Sequence, residues 1–132
     1  MSLIYSGINY ESIAKELKVV TVFVNNNLNQ QVNIQLIGCV DSSCNYSVAI
    51  GSVWTVAANS NDARTLTPST SGWLPYITAQ VWCTTAPSSG VLNVLLVKDK
   101  NLVYPIVKDL AITDTATHTY STNPNNIFIV TW

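Results

Sequence analysis

The residues best suited to chemistry in these 132 positions are three cysteines, one histidine and seven carboxylates. Cys39 and Cys44 bracket a turn-like stretch in GCVDSSCNYS, and their spacing admits three chemistries. A loop of Val40, Asp41, Ser42 and Ser43 between two strands sets the thiols opposite each other. In a non-hydrogen-bonded antiparallel pair the Cα atoms stand about 4.5 Å apart, within reach of a disulfide. With Cys83 and His118 the same pair forms a Cys₃His zinc set, because four intervening residues suit a first knuckle. The second half of that set is poor, since Cys83 and His118 lie far apart in the chain and each stands alone in a predicted strand. Three reduced thiols are the remaining alternative. With the bridge or with three reduced thiols, Cys83 is expected to act as a small buried hydrophobe.

General acid–base catalysis calls for histidine or carboxylates gathered in a cleft. His118 lies in TDTATHTYST, where alternation puts Thr113, Thr115, Thr117 and Thr119 on one face of a predicted strand and Asp114, Ala116, His118 and Tyr120 on the other. That pattern describes a half-exposed strand with threonine contacts. The acids are scattered, and the chain carries no P-loop, no G-x-S-x-G and no paired histidines at metal spacing. A non-enzymatic protein without a cofactor is therefore expected.

Aromatic residues offer a second kind of site. Trp54, Trp73, Trp82 and Trp132 are numerous for this length. GWLPYITAQVW places Trp73 in a turn, Tyr76 at a strand start and Trp82 on the outward face of that strand, a set able to stack on sugars or on a neighbouring protein. The competing expectation has Trp73 plugging the end of the fold and Trp82 packed under a loop or a neighbouring subunit. Trp132 closes a terminal apolar strand, NIFIVTW. Asn45-Tyr46-Ser47 is a glycosylation sequon.

The elements that must position these residues are strands. Short runs of Val, Ile, Thr, Tyr and Trp recur about every ten residues between Gly, Pro, Asn and Ser clusters, which predicts an all-β sandwich or barrel. Strands are expected near 18–25, 31–39, 45–57, 63–67, 76–85, 91–98, 102–108, 112–121 and 126–132. Pro105 demotes its run to an edge strand or bulge. Val32, Ile34 and Leu36 alternate with Asn33 and Gln35, and Ile77, Ala79, Val81 and Cys83 with Thr78, Gln80 and Trp82, so each strand should have a dry and a wet face. VLNVLLV is more uniformly apolar, as for a strand covered on both sides. Only residues 10–17 look helical, a short segment that serves equally well as an arm on a neighbouring subunit. A single domain spanning 1–132 is expected, large enough to bury roughly two-thirds of its unfolded surface.

Charged residues make up 10% of the chain, against about 25% in an average soluble protein. The formal net charge is −1. Such a surface gives no electrostatic footprint for nucleic acid and repels its own copies weakly, which favours self-association. No run approaches the twenty apolar residues of a membrane span, so no membrane insertion is expected. MSLIYSGINYESIAKELK has neither the basic leader nor the apolar core of a signal peptide. An extracellular protein of this kind is expected to leave by another route, such as the release of particles by lysis.

From residue 20 to 98 the order of features resembles a β-sandwich recurrent in structural proteins of viruses and phages. VFVNNNLNQ runs into the hairpin VNIQLIGCVDSSCNY, then the small-residue strand IGSVWTVAANS, the turn GWLPYI and the final hairpin AQVWCTTAPSSGVLNVLLV. The resemblance implies a jelly-roll-like antiparallel sandwich acting as a structural or attachment protein of a virion. Its expected partners are further copies of itself or other virion proteins, with a glycan as the alternative. It also makes the cysteines informative about environment, because disulfides persist in extracellular particles and in hyperthermophile interiors. A virus of a hyperthermophilic archaeon satisfies both. The expected location is the virion or the extracellular space, with the host cytoplasm as the alternative. The Cys39–Cys44 hairpin and residues 99–132 depart from the pattern.

Overall fold

The computed structural model describes residues 19–41, 43–98, 102–105, 109–119 and 128–129. The helix or arm expected within residues 1–17, and Trp132, lie outside them. Nine strands follow in chain order: β1 (Val20–Asn26), β2 (Val32–Cys39), β3 (Ser47–Val56), β4 (Ser60–Leu66), β5 (Tyr76–Trp82), β6 (Leu92–Lys98), β7 (Leu102–Pro105), β8 (His118–Thr119) and β9 (Phe128–Ile129). They form two antiparallel sheets. The first has the order β4-β1-β6-β7; the second runs β3-β2-β5-β8, with β9 also pairing β5. The protein is an all-β sandwich.

Alternation explains the layers. Val20, Val22 and Val24 of β1 pair across with Lys98, Leu96 and Val94 of β6, and the valines, Leu96 and Val94 are fully buried. In the second sheet Ile34 pairs with Val81, Leu36 with Ala79 and Gly38 with Ile77. These inward rows form one core cluster, completed by Leu28, Trp54, Val56, Leu66, Cys83 and Ile112. Each fully buried aliphatic side chain contributes about 1.5–3 kcal/mol relative to exposure. The outward rows are less wet than alternation predicts: Asn33, Ile37 and Cys39 of β2 and Thr78 of β5 are also buried.

β1–β2, β3–β4 and β5–β6 each pass from one sheet to the other at the same end of the sandwich, because Asn26 sits opposite both Ser60 and Leu92. Asn26 holds this crossover end together. Its side chain is fully buried; Nδ2 donates to the carbonyls of Gln30, Val56 and Ala57 at 3.0–3.1 Å, while Oδ1 accepts the Leu28 N–H at 3.0 Å. The following residues are laced to the β5–β6 connection: Asn27 N–H donates to Val91 and Asn29 N–H to Ser89. Gly90 makes that approach possible. Its φ is +94°, and a Cβ there would lie 1.9 Å from the Asn27 carbonyl oxygen.

Several strands differ from expectation in extent, β4 starting at Ser60 and β5 ending at Trp82 among them. Of the described residues in the run expected as a strand over 112–121, His118–Thr119 form the strand, since Asp114 Oδ1 accepts the Ala116 N–H and turns the chain before it. β7 carries Pro105 on the outer edge of its sheet, where a missing ladder donor costs nothing; residues 106–108 of the run expected there lie outside the described residues.

Candidate functional site

The end of the sandwich opposite the crossovers gathers most of the exposed apolar side chains. Cys39, last residue of β2, pairs with Ser47 on one side and Tyr76 on the other. The β2–β3 and β4–β5 connections therefore emerge next to each other, one strand spacing apart on either side of β2. Six large hydrophobic residues are exposed among the described residues; four of them, Val40, Tyr46, Val48 and Trp73, belong to this end. Tyr46 is 60% and Trp73 52% exposed.

Both connections are stiffened by local bonding. Cys39 and Cys44 are joined by a disulfide, with Cα atoms 5.0 Å apart. The geometry differs from two facing ladder residues. Cys44 lies within the loop at φ 53°, and it is Ser47 that faces Cys39. Asp41 organises the loop interior: Oδ1 accepts the N–H groups of Asn45 and Ser43 at 3.1 Å, and Oδ2 accepts the Asn45 amide. These bonds, the Asn45 backbone N–H foremost, hold its carboxyl below the ordinary range. The sequon residue Asn45 thus supports the loop that displays Tyr46.

The β4–β5 connection winds tightly. Thr70 Oγ1 donates to the Thr67 carbonyl at 2.9 Å and accepts the Thr67 N–H at 2.8 Å, while Trp73 N–H donates to Pro68 at 2.8 Å. Gly72 and Trp73 both adopt left-handed backbone, at φ 66° and 61°. That conformation is unusual for a bulky residue, costs of order 1–3 kcal/mol and here holds an indole outward. Leu74, half-buried, packs beside Gly38: its Cδ1 lies 2.7 Å from where a Gly38 Cβ would be, so a side chain at 38 would displace the leucine.

Of the sequence-predicted aromatics, Trp73 and Tyr76 both lie at the loop end, while Trp82 lies at the other end of β5. Tyr76 and Trp82 are the first and last residues of β5, roughly 20 Å apart at the strand rise. Trp82 is half-buried beside Asn33 at the crossover end. Tyr46, Val40 and Val48 were not singled out from sequence; the only signal was the position of Tyr46 just past the second cysteine.

The remaining polar groups are structural in arrangement. Trp54 is buried, and its Nε1–H donates to Asp62 Oδ2 at 2.9 Å, which with the Ala63 N–H and nearby Arg64 lowers the Asp62 pKa. Arg64 lies over the Trp54 ring, 4.9 Å from its centroid, a cation–π contact across the side of the sandwich where β3 and β4 are edge strands. His118 Nε2 meets Asp114 Oδ1 at 2.8 Å because the chain turns between them; the bond lowers the Asp114 pKa. Cys83 is a buried free thiol whose pKa burial raises. No group of three or more His, Cys, Asp or Glu side chains among the described residues is placed to hold a metal, and the disulfide consumes two ligands of the Cys₃His set.

Among the described residues no helix is long and apolar enough to cross a membrane, and the disulfide is compatible with an extracellular protein. Comparisons with protein-family models, with curated proteins and with solved structures give no match to this chain.

Proposed function

We propose that the protein is a non-enzymatic structural or attachment component of a virus particle, acting through self-association or surface recognition at the loop end of the sandwich. The observation that carries this reading is the display of Tyr46 and Trp73 on two neighbouring connections, one closed by a disulfide and the other held in left-handed backbone. Tyrosine and tryptophan dominate the energetics of protein interfaces, and rigid presentation lowers the ordering cost of binding. A near-neutral surface offers little repulsion between copies. The virion assignment adds the resemblance of residues 20–98 to viral sandwich proteins and the disulfide, which suits an extracellular particle.

Size-exclusion chromatography with light scattering tests the proposal. Self-association that grows with concentration, and weakens at least tenfold in Tyr46→Ser with Trp73→Gly, supports it. A strict monomer over a wide concentration range removes the self-assembly component. A second reading, a carbohydrate-binding module, is favoured by Trp73 and Tyr76 standing at one end of the fold; it uses those two with Tyr46 and leaves out Trp82. A glycan array without hits excludes it.

A further inference from the structure

On the side of the sandwich, a groove of about 420 Å³ opens between the edge strands β3 and β4 and reaches Thr70 of the β4–β5 connection. Its floor is aliphatic. Leu36, Ile50 and Leu66 line it, and these are the three most accessible members of the core cluster, at 4%, 7% and 7% exposure, while every other member is at 3% or below. Among the described residues, the core cluster comes nearest to solvent at this groove. The backbone of β3 is irregular beside it. β3 carries an irregularity opposite Gln35, between the pairs Ile34–Trp54 and Leu36–Ile50, and the Gln35 amide donates to the carbonyls of Ile50 and Gly51 at 3.2 Å. Gly51, at φ +69°, has nothing within 4 Å of a would-be Cβ.

The groove holds a single cationic side chain. Arg64 lines it with its guanidinium laid over Trp54, and among the described residues it forms no salt bridge. The nearest carboxylate, Asp62, is committed to the Trp54 indole and the Ala63 N–H. Stacking pre-orients the planar donors of Arg64, so little side-chain freedom remains to be lost when an anion binds.

We propose that this groove binds a free aliphatic monocarboxylate, with the chain over Leu36, Ile50 and Leu66 and the carboxylate on Arg64. The aliphatic floor selects a hydrocarbon chain. One guanidinium neutralises one negative charge, and the proximity of Asp62 disfavours a dianion such as a phosphate monoester. A methylene is close in size to water, whose share of volume is about 30 Å³, so a chain of roughly ten carbons fits the space. The volume lies within the ordinary range for small-molecule sites.

Methyl-labelled NMR titration of the full chain with decanoate, decanol and acetate tests the assignment. The expected result is saturable 1:1 decanoate binding that shifts the Leu36, Ile50 and Leu66 methyls and the Trp54 indole N–H, with decanol and acetate each at least tenfold weaker. Arg64→Gln, an exposed position, is expected to reduce decanoate affinity at least tenfold, to the level of decanol. Shifts confined to other regions, equal binding of decanoate and decanol by the unaltered protein, or unchanged decanoate affinity in Arg64→Gln overturns the proposal. The decanol comparison needs no variant, so it decides the matter even if Arg64→Gln misfolds.

Discussion

Replacing Asn26 by alanine removes one small polar side chain at the point where β1 leaves the first sheet. The fully buried amide serves four backbone groups: it donates to Gln30, Val56 and Ala57 and accepts from Leu28. The Leu28 N–H and the Val56 carbonyl belong to the buried bonds of this set, and both lose this partner when the side chain goes. Each buried group left unsatisfied costs about 1–3 kcal/mol, so the expected loss is about 4 kcal/mol. That is a large share of the roughly 5–15 kcal/mol by which a domain of this kind is stable. Urea unfolding followed by tryptophan fluorescence measures it. Asn25→Ala is the control, since Asn25 points outward from the same strand and is half-buried; surface changes of that type fall within about 0.5 kcal/mol. Asn26→Asp refines the test, because it keeps the acceptor for Leu28 but turns a carboxylate toward three carbonyl oxygens. Its folded-state pKa must rise, so the folded protein holds the extra proton, and the variant is expected to lose stability as pH rises above the ordinary carboxylate range. An Asn26→Ala loss below about 1 kcal/mol, equal to that of Asn25→Ala, would refute the claim that this side chain holds the crossover.

Gly90→Ala places a Cβ against the Asn27 carbonyl at a positive φ; it is expected to cost more than about 3 kcal/mol, seen as loss of soluble protein or a much lower melting temperature. Reducing the Cys39–Cys44 bond frees a six-residue ring and is expected to lower unfolding stability by about 2 kcal/mol, read as a shift of the urea midpoint with and without reductant. Burial and a raised pKa protect Cys83, so iodoacetamide should label it slowly in buffer and rapidly in urea, as counted by mass spectrometry. Asp41, Asp62 and Asp114 have lowered pKa values in the fold. The stability they contribute is complete above the ordinary value of 3.8 and is lost as pH falls through their folded values. Trp54→Phe removes the chief cause for Asp62 and should flatten that acid-side loss in melting temperatures recorded from roughly pH 5 to pH 2.

Strand and turn patterning was enough to read this chain as an all-β sandwich or barrel. Runs such as VNIQLIGC and YITAQVW alternate apolar and polar residues with period two, and Asn, Gly, Pro and Ser mark the intervals, so each of the nine described strands overlaps a run that the pattern marks, with different bounds in several. Such local signals are carried by neighbours in the chain and need no knowledge of what packs on them. The sequence also marked Cys39 and Cys44 as placed for bonding, because hairpin closure is a short-range event. Tertiary structure alone decided which strands neighbour each other, since β1 pairs with β4 and β6 and not with β2, a choice made by burial across two sheets. The same long-range packing separated Trp82 from Trp73, left the Trp73 indole exposed and turned Asn26 into a buried clasp. It also brought Tyr46 beside the β4–β5 connection, from a segment more than twenty residues earlier. A side chain's exposure depends on contacts made by distant segments. The residues displayed for recognition were therefore the part that composition and periodicity could not reveal.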